Sequence, residues 1–438
     1  MVSHATRLGH VTKWLLFLTV GLSFLPKAIA HPMPNSVVQL TVHADRIDAE
    51  VQIPLSELQA AWGHAVNDSS TYLLARHGPA MRAYLNEHIR PASPAGELWQ
   101  VLVGELAVHE TQNPLNGTYR ELTAQVRLLP PPGEDVRRFV LGYDAVLHQV
   151  VTHKILVSVH QDWARGQVAD VPPTQVGVIE LDIVNNRIVP LPINLAAGSA
   201  WTGFGAMVQL GIRHIAEGTD HLLFLLVMLL PAPLLVRFGR WGRFGGVRYS
   251  VRRLLLIVTA FTLGHSLTLL LGALGWIRLP SQPVEVLIAV SILVSAGHAV
   301  RPLFPGREAW VAAGFGLVHG LAFAGTLVDL HLDVGPMALS IFGFNLGIEL
   351  MQLLVIALTV PWLMLLSGTP AYPAVRVGGA LCAVAAAVAW IIERTLLSTT
   401  PFSTFVERVA HLAPWLLAAL AVGALFSYWR GWSQRTAS

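Results

Sequence analysis

The chain has 438 residues, of which 53% are hydrophobic and only 13% are charged. Soluble domains carry about 25% charged residues, so this composition excludes a soluble protein and indicates a membrane protein. The formal charge of +3 is small. Because many arginines stand in short loops between apolar segments, we assign them to membrane topology and predict no nucleic-acid partner. The single cysteine, Cys382, excludes an intrachain disulfide and a cysteine-based metal site.

Residues 1–30 have the pattern of a secretory signal peptide. Arg7 and Lys13 precede a short apolar segment, and Ala28-Ile29-Ala30 matches the small residues of a cleavage site. The alternative is an uncleaved anchor helix, but the apolar segment is short for a membrane span. We therefore predict cleavage after Ala30.

Cleavage would leave His31 at the N-terminus. A free amine beside an imidazole can chelate copper or nickel, so His31 is a candidate metal ligand. The alternative is a disordered polar end.

Residues 31–200 are predicted to form an exported, mostly-β, sandwich-like domain with one helical insertion at 70–89. Apolar segments at 37–53 and 98–129 each have the pattern of a β-hairpin. Eight histidines are scattered through the domain without ligand spacing, and we expect surface or core roles for them: His43, His64, His77, His88, His109, His148, His153 and His160. A protein partner of this exported domain is possible.

Residues 201–430 are predicted to form a polytopic α-helical membrane domain, followed by a cytoplasmic tail at 431–438. About 20 apolar residues cross the hydrocarbon core of a bilayer. By that measure we predict about seven spans, at 201–236, 254–276, 283–300, 309–328, 337–366, 377–397 and 411–429.

The arginines predict the orientation of these spans. The loop at 237–253 is rich in arginine, whereas the loop at 329–333 carries two aspartates. By the positive-inside rule, the arginine loop and the C-terminus are cytoplasmic and the N-terminal domain is exported. The predicted location is a bacterial inner membrane.

Residues 211–224 hold the densest group of ionisable side chains in the apolar part of the chain. His214, Glu217, Asp220 and His221 fall within eight positions. Ionisable groups in hydrocarbon are costly and rarely persist without a role, although a single intramembrane histidine is often only a helix–helix hydrogen bond. On a continuous helix His214, Glu217 and His221 share one face and Asp220 lies off it, while Gly218 is positioned to break the helix.

Later predicted spans place further polar groups at mid-depth, namely His265, His319 and Glu349. Such groups normally face a bundle interior. We therefore expect one cavity lined by His214, Asp220, His221, His265, His319 and Glu349. Gly316 and Gly320 predict close approach of another helix, and for His298, near the cytoplasmic end, a structural role is at least as plausible.

At these residues the chain resembles the HupE/UreJ family of membrane proteins. The family signature, His-Pro-x-x-Gly-x-Asp-His, is present from His214 to His221, with Ile215 where the family has proline. Further matches are His319-Gly320 and the segment 345–349, so the resemblance covers about 201–366. It implies nickel or cobalt uptake for hydrogenase and urease, and the large N-terminal domain resembles a longer branch of the family.

Three functions fit these features. The first is a permease for a divalent transition metal, nickel or cobalt in preference to zinc or copper, because histidine and carboxylate ligands bind such ions and can also release them. The second is an intramembrane metal-dependent hydrolase, in which the same residues would hold a catalytic zinc ion. The third is a sensor or assembly protein whose exported domain binds a partner. We favour the transporter over an enzyme.

Overall fold

The computed structural model describes residues 35–67, 72–113, 117–168, 171–277, 279–330, 332–396, 408 and 412–436, and the structural statements below concern these residues. The predicted signal peptide and His31 lie outside them.

The N-terminal part, here called the sheet domain (residues 36–194), contains eleven strands and two helices among the described residues. They are β1 (Ser36–Val42), β2 (Ile47–Pro54), α1 (Leu55–Trp62), α2 (Leu73–His88), β3 (Ile89–Ala92), β4 (Gln100–Asn113), β5 (Gly117–Leu129), β6 (Arg138–Tyr143), β7 (Ile155–Asp162), β8 (Thr174–Ile179), β9 (Leu181–Asp182), β10 (Arg187–Ile188) and β11 (Leu191–Asn194).

Two sheets form the core of this domain. The larger is mixed, with strand order β4-β5-β2-β1-β7-β8 and one parallel pair, β1 with β7. The smaller is antiparallel, with order β11-β6-β3. Apolar side chains alternate along the strands, and those of both sheets meet in one buried cluster that includes Leu40, Val51, Phe139, Leu141 and Ile193. The mostly-β prediction and both hairpins are therefore confirmed.

The helical content differs from the prediction by one element. The predicted helical insertion is α2, but α1 precedes it. Leu55 and Leu58 bury one face of this short helix, and Gly63 ends it in the left-handed conformation with φ of 74°. An eight-residue helix that follows a strand directly has too few turns to show helical periodicity in the sequence.

The C-terminal part is helical. Its helices are α3 (Ala200–Glu217), α4 (Thr219–Leu229), α5 (Val247–Ala273), α6 (Ser281–Val300), α7 (Glu308–Asp329), α8 (Val334–Ser367), α9 (Tyr372–Leu396) and α10 (Ala413–Thr436). Four of them, α5, α6, α8 and α9, are long and apolar enough to cross a membrane, and shorter apolar segments lie in α4, α7 and α10. The chain is thus a membrane protein by its helices, and the count of seven spans stays a prediction.

The first predicted span departs most from a single helix. It breaks at Gly218 into α3 and α4, as the glycine indicated, and it ends at Leu229 rather than near residue 236. Pro231 and Pro233 lack the N–H groups that would continue the helix. The chain instead forms a hairpin of β12 (Leu234–Arg237) and β13 (Arg240–Phe244) before α5 begins. The later arginines of the predicted loop therefore lie on the first turns of α5.

Glycines set the packing of the helices. A side chain at Gly211 would overlap the backbone carbonyl of Phe344, and one at Gly347 would overlap that of Val208, so α3 and α8 pack backbone to backbone. Gly316 and Gly320 bring α7 equally close to α5. The predicted close approach at this glycine pair is confirmed, and α5 is the helix that approaches.

The sheet domain contacts the helical part at two polar points. Trp163 donates its indole N–H to the Ser340 hydroxyl of α8 over 2.9 Å, in a buried position. Arg46 lies 3.2 Å from the Asp333 carboxylate, directly before α8. Around Trp163 an apolar cluster joins the two parts through side chains of α3 and α8, including Met207 and Phe344. The start of α8 is therefore held by the sheet domain.

Candidate metal centre

Four helices each contribute one histidine to a buried cluster. His214 comes from α3, His221 from α4, His265 from α5 and His319 from α7. One nitrogen from each of His214, His221 and His265 lies within 4.8 Å of the others. The ring of His319 lies 4.7 Å from that of His221. The sequence motif and two of the distant mid-span histidines therefore meet at one place.

The break at Gly218 shapes this cluster. Gly218 has φ of −74° and ψ of 92°, so α3 stops after Glu217 and α4 starts one residue later in a new direction. A side chain at Gly218 would come within 2.5 Å of the His214 carbonyl and 3.1 Å of His221 Nδ1. Only glycine fits between the two halves of the motif at this spacing.

Asp220 fixes the ring of His221. The carboxylate oxygen Oδ1 lies 2.9 Å from His221 Nδ1 and accepts the backbone N–H of His221 over 2.8 Å. A carboxylate is an acceptor, so Nδ1 carries the proton and Nε2 keeps a free lone pair. A carboxylate that orients an imidazole in this way is the usual outer partner of a metal-bound histidine. Asp220, expected off the shared helix face, reaches the site because of the helix break.

Ser291 of α6 fixes the tautomer of His319, as Asp220 fixes that of His221. The Ser291 hydroxyl donates its only proton to the Ile288 carbonyl over 2.7 Å. Its oxygen, 3.1 Å from His319 Nε2, must then accept a proton from that nitrogen. His319 Nδ1 is consequently the nitrogen with the free lone pair, and it is buried.

The free nitrogens of the cluster have no protein partner. Five imidazole nitrogens of this cluster are buried without a hydrogen bond: Nε2 of His214, Nε2 of His221, both nitrogens of His265 and Nδ1 of His319. Buried polar atoms are normally paired, and an unpaired one costs about 1–3 kcal/mol. Each neutral imidazole has one lone pair, so the four histidines offer at most four ligand atoms to one cation, and borderline divalent transition metals prefer imidazole nitrogen.

A cleft of about 460 Å³ leads to the cluster. Glu217, Asp220 and Glu285 place three carboxylates on its walls beside His214 and His221. Two arginines also line it, and one of them, Arg394, is neutralised by Glu285 at 3.0 Å. Glu285 lies near the start of α6 and Arg394 near the end of α9, and both lie at the end of the bundle where α8 starts. The sheet domain contacts α8 at that end.

Aromatic rings surround the inner side of the cluster. Phe344 lies 5.3 Å from the ring of His214, and Phe261 lies 5.2 Å from the ring of His319. Phe323, 4.8 Å from the ring of His214, stands at the edge of this wall and also lines the cleft. His265 and His319 are fully buried behind these rings. The cluster is thus open to the cleft through His214 and His221 and closed by apolar side chains on the other side.

Two candidates from the sequence, Glu217 and Glu349, stand apart from the histidines. Glu217 lines the mouth of the cleft but is exposed. Glu349 is half-buried and accepts a hydrogen bond from Thr259 of α5 over 3.4 Å, outside the cleft. His31 lies outside the described residues.

His298 has a structural environment. It lies at the end of α6, where its Nδ1 accepts the backbone N–H of Leu303 over 3.1 Å. Its ring stacks on Phe304 at 3.9 Å. These contacts close the end of α6 and are those of a capping residue.

Sequence reasoning gave no role to Ser291 or Glu285, although both were visible as polar residues of one predicted span. Their roles depend on which helix α6 faces. That pairing is set by glycine and alanine packing in three dimensions, and periodicity along one helix does not reveal it.

Fold and site together define a polytopic helical membrane protein with a buried four-histidine cluster beneath a carboxylate-lined cleft. The profile of the HupE / UreJ protein family matches residues 193–394. This segment is therefore a HupE/UreJ domain, and the resemblance noted in the motif is confirmed. A search of curated proteins and a search of solved structures found no match.

Proposed function

We propose that this protein is a membrane permease for a divalent transition-metal ion, with nickel or cobalt as its substrate. The observation that carries the proposal is the convergence of His214, His221 and His265, whose ligand atoms lie within 4.8 Å of one another. Buried imidazoles with unpaired nitrogens suit Ni²⁺, Co²⁺, Zn²⁺ and Cu²⁺ and disfavour Mg²⁺ and Ca²⁺. The family association with nickel and cobalt uptake supports the choice among them.

The donor set also suits transport. A transported ion must leave as well as bind, and thiolates hold soft metals too tightly for that. Imidazoles with a carboxylate nearby give an intermediate affinity. Three carboxylates and two arginines line the cleft, so its mouth keeps a net formal charge of about −1, and low-dielectric walls focus the field of that charge on an entering cation.

The predicted topology gives a direction. The cleft opens at the end of the bundle that faces the sheet domain. If that domain is exported, the ion enters from outside, passes Glu217 and Glu285, and is bound by His214 and His221 before it reaches His265 and His319. Release toward the cytoplasm would require the aromatic wall to move, as expected for alternating access.

Uptake of labelled nickel and cobalt by cells that express each variant tests the proposal. His214→Ala and His221→Ala each remove one ligand and should reduce uptake by at least tenfold, while the amount of protein in the membrane stays the same. His298→Asn is the matched control, because asparagine Oδ1 can accept the Leu303 N–H in place of the imidazole. It should transport as well as the unaltered protein.

Two results would contradict the proposal. If cells with the unaltered protein accumulate no more nickel, cobalt, zinc or copper than cells with an empty vector, the permease reading fails. If uptake occurs and the His214 and His221 variants retain it, the transport site lies elsewhere.

A second function is favoured by one feature of the same site. Three imidazoles with an open side toward a cleft are also the ligand set of a catalytic zinc ion, in which the fourth position holds an activated water. Asp220 or Glu217 would then serve as the general base. Release of a lipid or peptide product by purified protein loaded with zinc, without accumulation of metal in cells, would support this hydrolase in place of the permease.

A further inference from the structure

A group of arginines without protein partners lies at the end of the bundle where α5 begins. The chain has no acidic residue between Asp220 and Glu285. Five exposed arginines fall in this interval, and within the described part of the chain none of them forms an ion pair or donates a hydrogen bond: Arg237, Arg240, Arg243, Arg248 and Arg252. Their charge is therefore not balanced by carboxylates of the described residues.

Other arginines at this end do have protein partners. Arg253 donates to the Glu308 carboxylate over 2.6 Å, and Arg376 donates to the Val300 carbonyl over 2.9 Å. These two side chains join helices to one another. The five exposed arginines make no such contact, so their guanidinium groups are available to a ligand.

The β12–β13 hairpin is held against the bundle. Trp241 of β13 donates its indole N–H to the His298 carbonyl over 2.9 Å, and the Arg253 guanidinium lies 5.2 Å from the Trp241 ring. Arg253 also donates to the Leu234 carbonyl of β12 over 3.2 Å. The arginines of the hairpin are therefore fixed at the end of α5 that carries Arg248 and Arg252.

A groove of about 400 Å³ runs along the outer face of α5. Its lining residues recur every three or four positions and so share one face of the helix, and all of them are exposed: Arg248, Val251, Arg252, Leu255, Leu256 and Thr259. The two arginines lie at one end of the groove, and the apolar side chains continue from them toward the middle of the helix. The groove thus has a basic head and an apolar body.

The length of α5 places this head at the surface of a bilayer. The helix has 27 residues, which span about 40 Å at 1.5 Å per residue. The hydrocarbon core is about 30 Å thick, so about 10 Å of the helix must lie among the headgroups. Between Leu254 and Ala273 the only ionisable residue is His265, so the excess lies at the start of α5. Arg248 and Arg252 then reach the headgroups, and Leu255 and Leu256 enter the hydrocarbon.

We propose that this groove binds one anionic phospholipid, with the phosphate between Arg248 and Arg252 and an acyl chain along Leu255 and Leu256. Side chains four residues apart on a helix are neighbours, and two guanidinium groups can donate to one phosphate together. Basic clusters beside a membrane span attract anionic lipids, and the hairpin arginines add to that attraction. A zwitterionic lipid binds less well because the same arginines repel its ammonium group. The site does not depend on metal transport or on the orientation of the protein.

Native mass spectrometry of the full-length protein in detergent tests the proposal. Phosphatidylglycerol is titrated into the unaltered protein, and phosphatidylcholine and inorganic phosphate are used as comparison probes. We expect one tightly bound phosphatidylglycerol, at least tenfold weaker binding of phosphatidylcholine, and no displacement by excess inorganic phosphate. Arg248→Gln combined with Arg252→Gln should weaken phosphatidylglycerol binding by roughly tenfold or more.

Arg301→Gln combined with Arg307→Gln is the matched control. It removes the same charge from two exposed arginines beside Glu308, at the same end of the bundle but outside the groove. It should bind phosphatidylglycerol as the unaltered protein does.

Thermal unfolding in lipid nanodiscs gives a second measurement. In phosphatidylcholine all three proteins should unfold at the same temperature, because the replaced arginines have no protein partner among the described residues. In phosphatidylglycerol the unaltered protein and the control should be stabilised more than the Arg248/Arg252 variant. The proposal is overturned if both double variants lose phosphatidylglycerol binding equally, if phosphatidylcholine binds as tightly, or if inorganic phosphate displaces the lipid.

Discussion

At the scale of single residues, the function of the intramembrane cluster depends on which nitrogen of each imidazole carries a proton. Asp220 accepts a hydrogen bond from His221 Nδ1–H, and Ser291 accepts one from His319 Nε2–H. Each contact leaves the opposite nitrogen free to bind a cation. His265 faces the Asn345 side chain of α8, but neither of its nitrogens makes a hydrogen bond of normal geometry, so a bound ion would help to decide the orientation of that ring.

Ser291 allows a sharp test of this view. Ser291→Ala removes the acceptor for His319 Nε2–H, and we expect metal affinity to fall by roughly 10- to 100-fold while the helix remains intact. Ser295→Ala is the control, because Ser295 is equally buried on α6 but donates only to the Ser291 carbonyl. Nickel binding to purified protein measures both. Equal affinities for the two variants would show that Ser291 does not orient His319.

Sequence reasoning brought His214 and His221 together by their local spacing, and His265 and His319 by their depth, because ionisable groups at mid-span normally face the bundle interior. His214 and His221 are close along the chain, so their meeting required only a helix and a glycine break. Glu349 sits one helical turn from residues that face the cluster, yet it bonds Thr259 instead. A small rotation of α8 decides between these positions, and no pattern along a single helix fixes it.

At the scale of elements, the site is assembled from two closely packed helix pairs. Gly211 and Gly347 join α3 to α8, and Gly316 and Gly320 join α5 to α7. The first pair carries His214 and the second carries His265 and His319. Without a hydrophobic driving force between helices in lipid, such small-residue contacts supply much of the packing energy. The position of the histidines is therefore set by glycines.

Gly320→Ala tests that dependence. Its added methyl group would overlap the His265 carbonyl and the Thr268 hydroxyl, so α5 and α7 must separate. We expect a loss of about 1–3 kcal/mol in stability and weaker metal binding, because His265 moves away from His319. Thermal unfolding in detergent and nickel uptake measure the two effects.

Gly314→Ala is the matched control on the same helix, because a side chain there meets no atom within 4 Å. Alanine is the better helix former by about 1 kcal/mol, so this variant should be at least as stable as the unaltered protein. A Gly320→Ala protein that unfolds at the same temperature as the Gly314→Ala protein would refute the account of the close contact.

The elements themselves were largely predictable. Alternating apolar residues gave the hairpins β1–β2 and β4–β5, and long apolar segments gave α5, α6, α8 and α9. The parallel pairing of β1 with β7 was not predictable, because it joins strands separated by most of the domain. The hairpin β12–β13 was hidden because its arginines resemble any cytoplasmic loop.

At the scale of the whole molecule, the sheet domain and the mouth of the cleft lie at the same end of the helical bundle. Trp163 and Arg46 of the sheet domain hold the start of α8. Glu285, near the start of α6, lines the cleft. Helices α6 and α8 start at the same end because α7 runs back between them. An ion that enters the cleft therefore passes close to the sheet domain.

This arrangement ties the direction of the proposed transport to the topology, which cysteine labelling can establish. The chain has one native cysteine, so Cys382→Ala gives a background without thiols. Val184 and Phe238 are each 92% exposed, in the β9–β10 turn of the sheet domain and in the β12–β13 turn. In spheroplasts, a membrane-impermeant maleimide should label Val184→Cys at once and Phe238→Cys only after lysis. The matched exposure means that a difference in labelling reports the side of the membrane and not accessibility.

The side of the membrane on which the C-terminus lies tests the predicted number of spans. With the sheet domain outside and the arginine-rich hairpin inside, seven spans place a reporter fused at Ser438 in the cytoplasm. Equal labelling of Phe238→Cys and Val184→Cys in intact spheroplasts would place both ends of the first predicted span on the same side, so that span would not cross the membrane. Labelling of Phe238→Cys alone would reverse its orientation, and the cleft would then receive its ion from the cytoplasm. A cytoplasmic hairpin combined with an exported reporter at Ser438 would leave the entry side unchanged but would show that the number of spans is even. The four long helices and the three shorter apolar segments then could not all cross the membrane.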